Sequence, residues 1–88
     1  MEFRWNDWNL SHVGNHGVSC AEAEGVVTRA KQSQWGRSEG DKWIAWGRGF
    51  GGRWVQVIFL LDEEGTVYII HARPLTGREK WRVRRRLR

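Results

Sequence analysis

Two apolar runs joined by a four-residue acidic turn constrain this chain more than any other feature. Trp54-Val-Gln-Val-Ile-Phe-Leu-Leu61 is rich in β-branched and aromatic residues, as a strand requires. Asp62-Glu-Glu-Gly65 turns the chain, and Thr66–Ala72 carries a second strand, which Pro74 is expected to break. A turn this short permits only antiparallel pairing. Lys42–Gly47 is a third strand candidate, reached through the flexible turn Arg48-Gly-Phe-Gly-Gly-Arg53. The result is a three-stranded meander.

The flanking segments read as helices. Phe3-Arg4-Trp5 is a short extended piece. Asp7 or Asn9 is expected to cap a short helix over Leu10–Asn15 that ends at Gly17. Ser19-Cys-Ala-Glu22 has the form of a capping box and opens a helix from about Cys20 to Lys31, with Ala23, Val26, Val27 and Ala30 as its apolar stripe. Gln32–Asp41 is polar and reads as a loop. Thr76-Gly-Arg-Glu79 is a second capping box and opens a C-terminal helix. Helices grouped apart from strands give an α+β fold: N-terminal helices packed on a small antiparallel meander, with a helix at the C-terminal end.

Eighty-eight residues suit a single domain, here 1–88, with a basic tail over 82–88 that is expected to fray where like charges repel. Cys20 is the sole cysteine, which excludes a disulfide scaffold and suits a reducing compartment. The start, Met-Glu-Phe-Arg-Trp, has no signal-peptide pattern, and no apolar run is long enough to span a membrane, so a cytoplasmic protein is expected. Seven tryptophans let a small domain build its core from few residues, and an exposed one beside basic residues can stack on an unpaired base. Charge is polarised. Residues 73–88 hold eight basic side chains against one acid, whereas residues 1–72 hold seven against nine. Such a concentrated positive field is a footprint for a polyanion such as RNA.

Trp5-Asn-Asp-Trp-Asn9 followed by His12-Val-Gly-Asn-His-Gly-Val-Ser19 resembles the opening motif of the BrnT-like toxins of type II toxin–antitoxin systems. Glu22 and Glu24 fall where that family has an acidic helix. Val67-Tyr-Ile-Ile-His-Ala-Arg73 resembles its Ala-Arg strand, with His71 in place of Ser or Thr, and Thr76-Gly-Arg-Glu-Lys80 resembles its Thr-x-x-Glu-(Lys/Arg). The resemblance runs over essentially the whole chain. It implies a RelE-like ribonuclease fold, a toxin that cleaves RNA and inhibits growth, and a protein antitoxin, itself DNA-binding, that covers the toxin in a hetero-oligomer.

Cleavage of RNA without a metal needs a base for the 2′-hydroxyl, cations for the charge on phosphorus, and an acid for the leaving oxygen. Arg73, at a strand end and in the Ala-Arg motif, is the first candidate, because a planar guanidinium meets two phosphate oxygens at once. His71 lies two residues earlier, on the same strand face, and titrates in the useful range. Arg53 matches the Gly-Arg before the long strand in the family, and Arg78 stands in the first turn of the last helix, where backbone donors meet side-chain charge. Lys80, Arg82, Arg48 and Arg85 are candidates for holding RNA phosphates. The Gly-rich turn beside Arg48 lacks the Gly-Lys-Ser/Thr of a nucleotide-binding loop. His12, His16 and Cys20 are spaced by four, but Gly14 and Gly17 interrupt the helix that would align them, so neither a metal nor a cofactor is expected. His16 is structural or lines the site. Two other functions fit the same residues: a non-catalytic nucleic-acid-binding module, and a degenerate toxin that only binds its antitoxin.

Overall fold

The computed structural model describes residues 1–88. Its elements in chain order are β1 (Phe3–Arg4), α1 (Asp7–Gly14), α2 (Cys20–Arg29), β2 (Gly36–Arg37), β3 (Trp43–Arg48), β4 (Trp54–Leu61), β5 (Val67–Pro74) and α3 (Gly77–Arg86). The expected meander β3-β4-β5 forms the centre of a five-stranded sheet ordered β1-β5-β4-β3-β2. The two outer strands are two residues long, and β1 runs parallel to β5, so the α+β fold carries a mixed sheet.

Alternation along β4 decides the two faces. Val55, Val57 and Phe59 are buried, as are Ala45 on β3 and Val67, Ile69 and Ala72 on β5. Val13 from α1, Val18 from the connection after it, and Ala23, Val26 and Val27 from α2 close over this face, and Trp35 packs its ring edge-on to Phe59 at 4.9 Å. The other face presents Trp46 and Gln56, cross-strand partners joined by an indole N–H donating to the amide oxygen at 3.0 Å. α3 lies there. It contributes one buried residue, Val83, and otherwise polar contacts: Gln34 donates to the Leu87 carbonyl at 3.0 Å, and the Arg86 guanidinium stands 5.0 Å from the Trp46 ring.

Several local expectations need correction. The first helix begins earlier than Leu10, and its cap is Asn6, not Asp7 or Asn9. Asn9 amide N–H donates to Asn6 Oδ1 (3.2 Å) and Asn6 N–H donates to Asn9 Oδ1 (2.7 Å), so two asparagines build a reciprocal capping box. Ser19 caps α2 as expected, but Glu22 does not complete the box, because its carboxylate is committed elsewhere. The loop over 32–41 contains β2, where Trp46 lies over Gly36: a Cβ there would sit 2.6 Å from the indole, so a larger residue would have to displace that ring. Pro74 ends β5 from within instead of breaking it early. Leu75 N–H donates to Trp54 O at 2.9 Å, so the bonded position falls beside Pro74, and its missing N–H faces the free edge of β5.

Candidate nucleic-acid site

β5 carries an extra residue, Ile70, against β4: Phe59 pairs with Ile69 but Ile58 pairs with His71. The bulge re-phases the strand, so that His71 and Arg73 alternate with buried Ala72 and stand on one side. His71 is half-buried and meets His16, from the turn after α1, in an edge-on contact of 4.7 Å. Burial first, then the nearby positive fields of His16, Arg73 and His12, push its pKa below the ordinary value of 6.5. Its buried Nδ1 has no hydrogen-bond partner, so a proton added there would gain no acceptor. Both effects favour the neutral imidazole.

Arg73 forms a fork-to-fork pair with Glu79, its Nη1 donating to Oε1 at 2.8 Å and its Nη2 to Oε2 at 2.5 Å. Glu79 also accepts from Thr76 N–H at 2.9 Å, completing the capping box of α3. One carboxylate thus starts the helix and orients the arginine. The guanidinium of Arg73, then the Thr76 amide, hold its pKa at about 2.

Arg53 is paired too. Its Nε donates to Glu22 Oε2 at 2.9 Å and its Nη2 to Glu22 Oε1 at 2.6 Å, while Nη2 also reaches the Gly17 carbonyl at 2.8 Å. Glu22, 2% exposed, also accepts from Phe50 N–H at 2.7 Å, which draws the Gly-rich turn onto α2. Gly49 permits that approach, since a Cβ there would lie 2.2 Å from Glu22 Oε2. The hydrogen bonds from Arg53, then the Phe50 amide, outweigh burial and depress the Glu22 pKa. The turn His16-Gly17 is therefore shared: Arg53 holds its carbonyl at Gly17, and His71 holds the ring of His16.

The structure thus gathers His71, Arg73 and His16, ties Arg53 to them through Gly17, and sets the other candidates apart. Arg78 is exposed in the first turn of α3 and has no carboxylate partner. Lys80 and Arg85 lie on the outer side of α3, whereas Arg82 borders a cleft of about 170 Å³ between α3 and the sheet, with Trp46, Gln56 and Leu75. Arg48, at the end of β3, stands 5.4 Å from the Trp54 ring and donates weakly to Gly52 O at 3.4 Å. His12, stacked on Trp8 at 3.8 Å, lies with His16 and Cys20 in no group of three or more metal-binding side chains. Burial and then Glu24 raise the Cys20 pKa, which makes it a poor nucleophile. Sequence reasoning missed the Glu22–Arg53 and Arg73–Glu79 pairs; the first joins positions 31 apart and leaves no local pattern.

No protein-family profile and no curated protein matches this chain. Among solved structures, the chain is similar to the ribonuclease toxin BrnT of Brucella abortus, with a TM-score of 0.69 over 88% of this chain and 99% of that one, at 20% identity. The two share a fold, the one that the motif resemblance implies.

Proposed function

We propose that this protein is the toxin of a type II toxin–antitoxin module, a cytoplasmic endoribonuclease held in check by a protein partner that also binds DNA. The observation that carries the reading is the half-buried His71, in contact with His16 and two residues from Arg73 on a bulged strand. The shared fold with a ribonuclease toxin supports it.

The reaction that this group of residues suits is transesterification. The 2′-oxygen attacks phosphorus, the bond to the 5′-oxygen breaks, and the products are a 2′,3′-cyclic phosphate and a 5′-hydroxyl strand. The His71–His16 pair handles both protons, taking one from the 2′-hydroxyl and returning one to the leaving oxygen. The two rings are in contact, so the two proton transfers are assigned to the pair. Arg73 stabilises the charge on phosphorus by exchanging the Glu79 carboxylate for two phosphate oxygens. Arg78 is free to add a second cation. Arg53, committed to Glu22, acts as a positioning residue that fixes the turn bearing His16. Lys80, Arg82, Arg85 and the more distant Arg48 hold flanking phosphates. No metal enters the scheme.

Purified protein incubated with end-labelled RNA and a chelator is expected to yield cyclic-phosphate ends. Arg73→Ala and His71→Ala should each lower kcat on the order of 10²-fold or more. Because the His71 pKa is depressed, its neutral form survives below pH 6.5, and the rate should fall only as pH drops through that lowered value. In bacteria, expression should arrest growth, with relief by Arg73→Ala or by the cognate antitoxin. Folded wild-type protein that cuts no RNA and arrests no growth would overturn the proposal.

A further inference from the structure

α3 presents two faces of opposite character. Glu79, Arg82, Val83 and Arg86 turn toward the sheet. Lys80, Trp81, Arg84, Arg85 and Arg88, with Gly77, recur at steps of three and four along the other side and line one open cleft of about 280 Å³. Trp81 is 60% exposed in the middle of that cleft, and the Arg85 guanidinium stands 4.8 Å from its ring. No carboxylate pairs with any of these cations, since the two ion pairs of the protein are Arg53–Glu22 and Arg73–Glu79.

This face works against the helix that bears it. Lys80 and Arg84 stand four residues apart on α3 and repel, and Arg88 adds a further cation just past its end. Trp81 leaves a large apolar ring in water, although the chain buries most of its other indoles wholly or partly. Packing explains neither feature, but a ligand that is both polyanionic and aromatic explains both together. The geometry points to the outer face of α3 as a binding surface for single-stranded RNA, with a base stacked on Trp81 and the flanking phosphates held by Lys80, Arg84, Arg85 and Arg88. Four helical residues rise about 6 Å, so the cations form a ladder that a backbone can follow. A duplex hides its base faces, and an acidic peptide would satisfy the cations with no use for a flat ring between them. The inference rests on the ribonuclease reading in one respect: α3 begins where β5 ends, and its first turn grips Arg73, so the strand bound along α3 is the strand presented for cleavage.

The test is fluorescence anisotropy with a 2′-O-methyl RNA 12-mer, which lacks the attacking hydroxyl. Trp81→Ala should weaken binding roughly 5- to 150-fold, the range of a lost base stack, while Trp81→Phe keeps most of the affinity. Arg84→Ala and Arg88→Ala should each reduce the slope of log K against log salt by about 0.7. A base-paired duplex of the same sequence should bind without regard to Trp81. Equal affinity of Trp81→Ala and wild type for the 12-mer, with matching urea midpoints, would overturn the proposal. So would a polyglutamate peptide that binds as tightly as the 12-mer and loses as much on Trp81→Ala, which would make the face a protein-docking surface. Cleavage separates the two readings. Trp81-dependent binding by a protein that cuts no RNA upholds this surface against the ribonuclease, and cleavage whose KM ignores Trp81 does the reverse.

Discussion

α2 meets the sheet with Ala23, Val26 and Val27, all buried, whereas α3 meets the opposite face with Val83 alone and otherwise with Glu79, Arg82 and Arg86. The first contact belongs to a continuous apolar cluster of 13 residues; the second leaves a cleft of about 170 Å³ beside the sheet. One face is held by the non-directional hydrophobic effect, the other by a few oriented polar contacts and one valine. The fold is secured on the first face. The second can therefore carry exposed charge and an exposed indole without endangering it.

The sharpest way to break this contrast is to truncate one buried residue on each face. Phe59→Ala, in the middle of the cluster, should cost about 3–5 kcal/mol in urea unfolding. Val83→Ala should cost about 1–2 kcal/mol, in proportion to the methyl groups removed, and should loosen α3 while the sheet persists. Equal costs, or a Val83→Ala protein that unfolds as a whole, would show the faces to be equivalent. Acid offers a finer probe. Glu79 titrates at about 2 in the folded protein against an ordinary value of 4.5. A carboxylate with a depressed pKa contributes stability above its unfolded value and loses it as pH falls toward the folded one. The difference in urea midpoint between wild type and Glu79→Gln should therefore be full above about pH 4.5 and close as pH approaches about 2. The smallest effect is expected on the outer side of α3: Arg84→Ala should leave the urea midpoint nearly unchanged, since relieved repulsion offsets the loss of a favourable cation in the last turn of the helix.

What was legible in the sequence follows the range of each interaction. Trp54–Leu61 was readable to the residue because a run of β-branched and aromatic side chains is its own signal. Thr76 and Glu79 were readable as a cap because both halves lie within one turn. Asn6 was overlooked because its partner is another asparagine, an amide that does the work of the usual Glu or Gln. β1 and β2 were unreadable as sheet strands, since two residues hold no period and their pairing is set by tertiary contact. At the candidate site, Arg73 and His71 stood out by strand position and motif, but their environment did not. The bulge at Ile70 lies in β5 itself but exists only in its pairing with β4, and the ring of His16 and the carboxylate of Glu79 come from a turn and a helix that the folded chain brings near.

The pairing of β1 with β5 bears on the order in which this chain acquires its shape. β3, β4 and β5 are joined by short turns, so each pairing confines little chain. By contrast, Phe3 must find Val67, and the Asn9 side-chain amide must find the Ile69 carbonyl across 60 positions. Closing so long a loop costs more entropy before any contact rewards it. The N-terminal segment is thus the last strand to dock on a growing polypeptide. It waits for β5, so the two ends that frame His71 and Arg73 come together only when synthesis of the strand bearing them is complete.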